Sequence, residues 1–204
     1  MRIKLAATFS FLTSVCLILT SCSDGPSAGD PTPEKTQPAT TSTAQNAAPK
    51  VDSPIDTTLA QEQPCSIVSL QQIGSLGSTP REAKSNTSDP LGPLCDWIFA
   101  SGQGRITGQF VTANKDGLGS LYAKQSAGSL TKFEPVESVA GYPAVIYSNS
   151  TVNRSGLCTL AVGVRNNITY TVVAQLGTED PNRDDPCSVA VKVAEFAVEN
   201  MQGG

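Results

Sequence analysis

Two neighbouring stretches near the C-terminus alternate apolar and polar positions. From Leu157 to Arg165, residues Cys158, Leu160, Val162 and Val164 share one face; from Ile168 to Leu176, Ile168, Tyr170, Val172, Ala174 and Leu176 do the same. A period of two is the pattern of a half-buried strand. Asn166-Asn167 between them suits a two-residue turn, because Asn tolerates positive φ. Leu94 to Ala100 and Arg105 to Ala113 form a second strand pair about the turn Ser101-Gly102-Gln103-Gly104, and Ala144 to Tyr147 is a further strand candidate.

Helical spacing marks three segments. Ile67, Val68, Leu70, Ile73 and Leu76 recur at helix intervals between Cys65 and Leu76, and Gly77 ends the run. Leu118 to Gln125 is a short helix after the turn Asn114-Lys115-Asp116-Gly117. The last helix has an Asp184 or Asp185 cap, Pro186 in its first turn, and a stripe of Val189, Val193, Phe196, Ala197 and Met201. Residues 78–93 carry three prolines among polar residues and read as a long loop. The expected fold is α+β, in the order α-β-β-α-β-β-β-α. A mainly antiparallel sheet of about five strands carries helices on one face, with the other face partly open.

The N-terminus follows a different pattern. Arg2 and Lys4 precede an apolar run from Leu5 to Leu19, and Leu19-Thr20-Ser21-Cys22 closes it. Charge, apolar core and small residues describe a secretory signal over 1–21. The run is too short for a stable span, which needs about 20 apolar residues. A cysteine directly after Leu-Thr-Ser resembles the bacterial lipobox, in which lipid is joined to the cysteine sulfur and the chain is cut just before it. Cys22 is then the lipid attachment site. The resulting anchor of more than one acyl chain holds a protein stably on a membrane, here at the extracytoplasmic face of the cytoplasmic membrane. Residues 22–63, rich in Ser, Thr, Pro, Ala and Gln with no aromatic residue, read as a disordered tether. About 40 flexible residues reach about 35 Å on average. One globular domain then spans 64–204.

Removing the signal takes the net charge from −4 to −6. A mildly acidic chain argues against nucleic acid as a partner, since that needs clustered Lys and Arg. Histidine is absent, which removes the commonest general base and a common metal ligand. Cys65, Cys95, Cys158 and Cys187 form an even set in an exported chain, the signature of two disulfides. No Cys-x-x-Cys pair favours zinc. Counting alone leaves three connectivities. Local context favours Cys65 with Cys95 and Cys158 with Cys187, because Pro64-Cys65-Ser66 and Pro186-Cys187-Ser188 open helices while Leu94-Cys95 and Leu157-Cys158 open strands. Each bridge closes a loop of about 30 residues, worth roughly 3.5 kcal/mol in the chain-entropy picture.

Taken in order, the lipobox at Cys22, Pro64-Cys65-Ser66, Cys95-x-Trp97, Gly141-Tyr142-Pro143-Ala144-Val145, Cys158 in its Val-rich strand and Asp185-Pro186-Cys187 resemble a family of actinobacterial lipoproteins catalogued as domain of unknown function 3558. The resemblance implies an envelope lipoprotein with two disulfides and implies no activity.

Candidate chemistry is sparse. Ser129-Leu130-Thr131-Lys132 has the Ser-x-x-Lys form but lacks the Ser-Asp-Asn and Lys-Thr-Gly partners that such enzymes need. The acidic run from Glu179 to Asp185 lacks EF-hand spacing and is interrupted by Arg183, so no metal site or other cofactor is expected. Trp97, on the strand face of Cys95 and Phe99, and Tyr142, between Gly141 and Pro143, are the aromatic candidates for ligand binding. Core packing is the plainer role for Trp97. The expectation is a non-catalytic module that binds an envelope ligand or protein partner. The alternatives are a carboxylate-only glycan hydrolase using residues such as Asp96, Glu134 or Glu137, and a structural accessory subunit of an envelope complex.

Overall fold

The computed structural model describes residues 47–152 and 154–203. The signal, Cys22 and the first part of the tether lie outside the described residues. The alternating stretches form strands, and two polar stretches join them. The strands are β1 (Pro80–Asn86), β2 (Leu94–Phe99), β3 (Gly104–Val111), β4 (Lys132–Val139), β5 (Tyr142–Ser148), β6 (Leu157–Arg165) and β7 (Ile168–Leu176). They make one sheet in the order β1-β2-β3-β7-β6-β5-β4, with every neighbouring pair antiparallel. The chain meanders through β1–β3, crosses to the far edge by way of a helix, and meanders back so that β7 docks beside β3.

The sheet therefore has seven strands where the sequence pattern predicts about five. The two additions are its edges. β1 lies inside the expected loop 78–93 and is exposed along nearly all its length. β4 carries Pro135 and an irregular pairing with β5 between Val136 and Val139. An edge strand has one unpaired side and little buried surface, so neither apolar alternation nor the absence of proline is required of it. Exposed pairs Lys84–Glu82 (3.0 Å) and Lys132–Glu134 (3.3 Å) decorate the two edges. Such charges oppose strand addition from outside.

Four helices accompany the sheet among the described residues: α1 (Thr58–Glu62), α2 (Leu70–Gly74), α3 (Gly119–Ser126) and α4 (Pro186–Gln202). The helix expected over 65–76 shrinks to α2. Ser69 caps it and Gln72 reaches back to the Ser69 N–H, a reciprocal capping box that fixes the start later than the apolar spacing does. α4 begins as the sequence indicates, with Asp185 as cap and Pro186 in the first turn. Its buried residues Val189, Ala190, Val193, Ala194, Ala197 and Val198 pack on β6 and β7.

Even-numbered residues of β6 and β7, from Cys158 to Val164 and Tyr170 to Leu176, join Trp97, Ile106 and Phe110 in the main core beneath α4. Odd-numbered Ala161 and Val145 point the other way, into a second small cluster with Leu118 and Leu121. Helices thus serve both faces: α3 sits on the face opposite α4, correcting the expectation of a single helical layer.

The packed chain also begins earlier than expected. Val51, Ile55, Thr57 and Ala60 are buried, although composition assigns them to disordered chain. Single apolar residues among polar ones leave the average composition tether-like, but each fits a specific notch. The Ile55 N–H donates to the Val164 carbonyl (3.0 Å), the Val51 N–H donates to Asn166 Oδ1 (2.9 Å), and Arg165 Nη1 donates to the Ile55 carbonyl (2.9 Å).

The turns differ from expectation in one instructive way. Ala140-Gly141 joins β4 to β5 with φ of 47° and 86°, the signature of a two-residue hairpin turn in which both residues take positive φ. Ala140 is the one described non-glycine residue with positive φ. Asn166-Asn167 does close the β6–β7 hairpin, but without positive φ; a register shift between Gly163 and Arg165 adjusts the pairing instead.

Candidate functional site

The seam between β5 and β6 is where the sheet is least complete. Ladder pairing between these strands is confined to Ala144–Ile146 against Leu160–Val162. At one end of the seam, the chain's own segment around Ile55 bonds the free backbone of β6. At the other end, Tyr147 and Ser148 continue pairing with β4 and Leu157–Thr159 with β7, so the two strands diverge. The fork between them is an open cleft of about 600 Å³, lined on its loop side by Ser150, Thr151, Val152 and Arg154. This is within the range of small-molecule sites, which are roughly 300–1,000 Å³.

The lining is mixed. Ile146, Val152, Leu157 and the Cys158–Cys187 bridge supply apolar surface. Thr131, Ser148, Ser150, Thr151 and Thr159 supply hydroxyls, and Lys132 and Arg154 supply positive charge. No Asp or Glu lines the cleft. Burial pushes the Tyr147 phenol above its usual value, against the opposing effect of its hydrogen bond with Thr171. Some hydroxyls are already engaged: Thr131 Oγ1 donates to the Ser148 and Ser150 carbonyls, and Ser150 Oγ to the Val152 carbonyl. These bonds hold the rim in shape.

A second cleft, of about 570 Å³, lies between the segment 53–60 and the C-terminal end of α4. Its polar groups are occupied by internal bonds. Tyr142 Oη donates to the Ser53 carbonyl (2.7 Å), Asn200 Nδ2 to the Ile67 carbonyl (2.8 Å), and the Thr58 hydroxyl and N–H donate to Asp56, which holds that carboxyl below its ordinary value. Few donors or acceptors are left there to orient a ligand.

The two aromatic candidates separate. Trp97 is fully buried and its indole N–H donates to the Val68 carbonyl (3.2 Å). It is core, with no surface to offer a ligand, which corrects its place among binding candidates. Tyr142 is 7% exposed and lines the second cleft, but its hydroxyl is committed to pinning the N-terminal segment. The candidate carboxylates do not converge. Asp96 on β2 accepts from Thr107. Glu134 and Glu137 lie on β4, with four strands between them and β2, a separation of roughly 24 Å at about 4.8 Å per strand step. In the acidic run, Asp180 is buried and accepts from Ser78 Oγ (2.6 Å), and Asp185 caps α4. Among the described residues, no three His, Cys, Asp or Glu side chains group as a metal site would require.

The structure pairs Cys65 with Cys95 and Cys158 with Cys187. The first joins the segment before α2 to β2, and the second joins the start of β6 to the first turn of α4. The family described as "Protein of unknown function (DUF3558)" matches residues 17–200, a span that takes in both bridges. The chain belongs to that family. No curated protein and no solved structure matches it. Membership in DUF3558 is consistent with the ordered set of motifs in the sequence, and most of those motifs now have structural roles. Both Pro-Cys-Ser units position disulfides, Trp97 fills the core, and Gly141-Tyr142 completes a hairpin and pins the N-terminal segment.

Sequence reasoning misses the cleft at the β5–β6 fork. Lys132 and Arg154 lie in segments that carry no periodic signal, and the divergence of two strands leaves no mark in either strand's own alternation. The available hint is the loop 149–156, eight residues of mainly Ser, Thr and Asn that end in Gly156, longer than the two-residue turns on either side.

Proposed function

We propose that this protein is a non-catalytic binding module displayed on the outer face of the cytoplasmic membrane by lipid on Cys22, and that the β5–β6 fork is its ligand site. The carrying observation is the fork itself: an open cleft of about 600 Å³ lined by hydroxyl-bearing residues, Lys132, Arg154 and apolar surface, with no Asp or Glu among its lining residues. A binding site needs only a few placed polar groups on an apolar wall. Hydrolysis by carboxylates needs two of them about 5–9.5 Å apart across the scissile bond; Asp96 is separated from Glu134 and Glu137 by four strands, and no Asp or Glu lines the fork.

The test is native mass spectrometry of the full chain extracted from membranes in mild detergent. Wild type is expected to carry a non-covalent ligand mass. Thr159→Trp, which fills the cleft from β6, and Val152→Trp, which fills it from the exposed loop, are each expected to lose that mass while retaining both disulfides. A bare wild-type protein, or the same adduct on both variants, overturns the assignment of the site.

A further inference from the structure

We infer that the ligand of the β5–β6 fork is anionic and hydroxylated: a phosphate or carboxylate borne on a sugar or polyol. This rests on the fork being the binding site and goes further by naming the chemistry it takes.

Charge is the first selector. The chain is acidic overall, at −4, yet the lining of this cleft carries Lys132 and Arg154 and no acid. A local positive site on an acidic molecule selects anions by contact, since the surrounding field gives no general attraction. Arg154 is the stronger anchor. The side chains of Arg105, Arg165 and Arg183 donate to Gln175 Oε1, the Ile55 carbonyl and the Leu176 carbonyl. Arg154 makes no such bond and no ion pair among the described residues, and it lies in the cleft wall. A guanidinium presents a planar fork of donors that matches carboxylate or phosphate oxygens two at a time. Lys132 is paired with Glu134 at 3.3 Å, but both side chains are solvent-exposed. An exposed pair of this kind holds weakly, so an incoming anion readily competes for the ammonium.

The remainder of the lining sets the rest of the ligand. Thr151 and Thr159 line the cleft and their hydroxyls make no bond among the described residues, and each can both donate and accept. That is the requirement for recognising a polyol, whose hydroxyls also do both. The exposed Val152 (60%) and the disulfide offer an apolar surface for a ring face or the start of an acyl chain. A bare inorganic anion would leave these groups unused. A neutral sugar would leave the two cations unused.

The experiment is calorimetric titration of the full chain in detergent with two matched pairs: inositol 1-phosphate against myo-inositol, and glucuronate against glucose. At least one charged member is expected to bind roughly tenfold or more tightly than its neutral partner. The double variant Lys132→Ala/Arg154→Ala is expected to lose that difference, and Arg81→Ala/Lys84→Ala on the opposite edge to keep it. Which charged member binds distinguishes phosphate from carboxylate. Equal binding of charged and neutral members, binding unchanged in the Lys132/Arg154 double variant, or no binding of either charged member overturns the inference. If the native ligand mass is nonetheless present and lost in Thr159→Trp and Val152→Trp, the site stands and only the ligand class falls.

Discussion

Tyr170 carries the one buried side-chain polar atom among the described residues that has no hydrogen-bond partner. Burial drives its phenol far above the usual range, so it stays neutral. The ring stacks at a tilt on Phe110, 5.0 Å between centroids, and its contribution is to fill the core. The hydroxyl lies over Gly108 of β3: a Cβ there would come 2.0 Å from Tyr170 Oη, and 3.0 Å from the Trp97 ring. Glycine in the middle of a strand is thus required by close approach, and the side chain responsible carries an unsatisfied group. An unpaired buried hydroxyl costs about 1–3 kcal/mol. Tyr170→Phe is therefore expected to raise unfolding stability by about 1 kcal/mol or more in urea titration. Gly108→Ala is expected to destabilise, with part of the loss recovered in the Tyr170→Phe background. A loss of stability in Tyr170→Phe alone would show that the hydroxyl does have a hydrogen-bond partner.

At the scale of elements, the legible ones are those with a buried face. β6, β7 and α4 stand out because alternation or helical spacing is imposed by the core on one side and solvent on the other. The disulfide pairing is legible as well, because each bridge joins an element start marked by Pro-Cys-Ser to one marked by Leu-Cys. β1 and β4 are not, because an edge strand buries too little to constrain its sequence. The segment 51–60 is not, because its contacts depend on Asn166, Arg165 and Tyr142, more than 80 residues away in the chain. The start of α4 offers a direct check on the cap read from sequence. Ser188 donates to Asp185 through its hydroxyl and its backbone N–H, and these bonds hold the Asp185 carboxyl below its ordinary value. A carboxylate with a depressed folded value stabilises above its unfolded pKa, about 4, and loses that contribution as pH falls through the folded value. Asp185→Ala is expected to lower the urea midpoint at pH 6, with the deficit shrinking as pH falls below about 4. Asp185→Asn, which caps without a charge, is expected to lie between them at pH 6 and to vary less with pH. A deficit in Asp185→Ala that stays constant or grows on acidification would contradict the cap.

For the whole molecule, the decisive quantity is where the cleft is held. The described part of the chain contains no helix long and apolar enough to cross a membrane; on the proposed reading the anchor is the lipid on Cys22. Among the described residues, packing against the core begins at Ala48 and Val51, so on the proposed reading fewer than 30 residues separate Cys22 from the first core contact instead of about 40. If that stretch acts as the proposed flexible tether, its root-mean-square reach would be about 30 Å. A shorter tether keeps the fork nearer the surface from which an anionic headgroup or glycan would be presented, and raises its effective concentration there. Metabolic labelling with a fatty acid tests the anchor. Wild type is expected to carry label and to sediment with membranes, and Cys22→Ala to carry none and to appear in the soluble fraction or the medium. A second variant, with about twenty Gly/Ser residues inserted after Thr40, tests the reach: it should keep its label and its solution affinity for the charged probe but retain less of the native ligand on extraction. Label persisting in Cys22→Ala would remove the anchor. An insertion without effect on the retained ligand would show that the fork draws it from solution and not from the membrane surface.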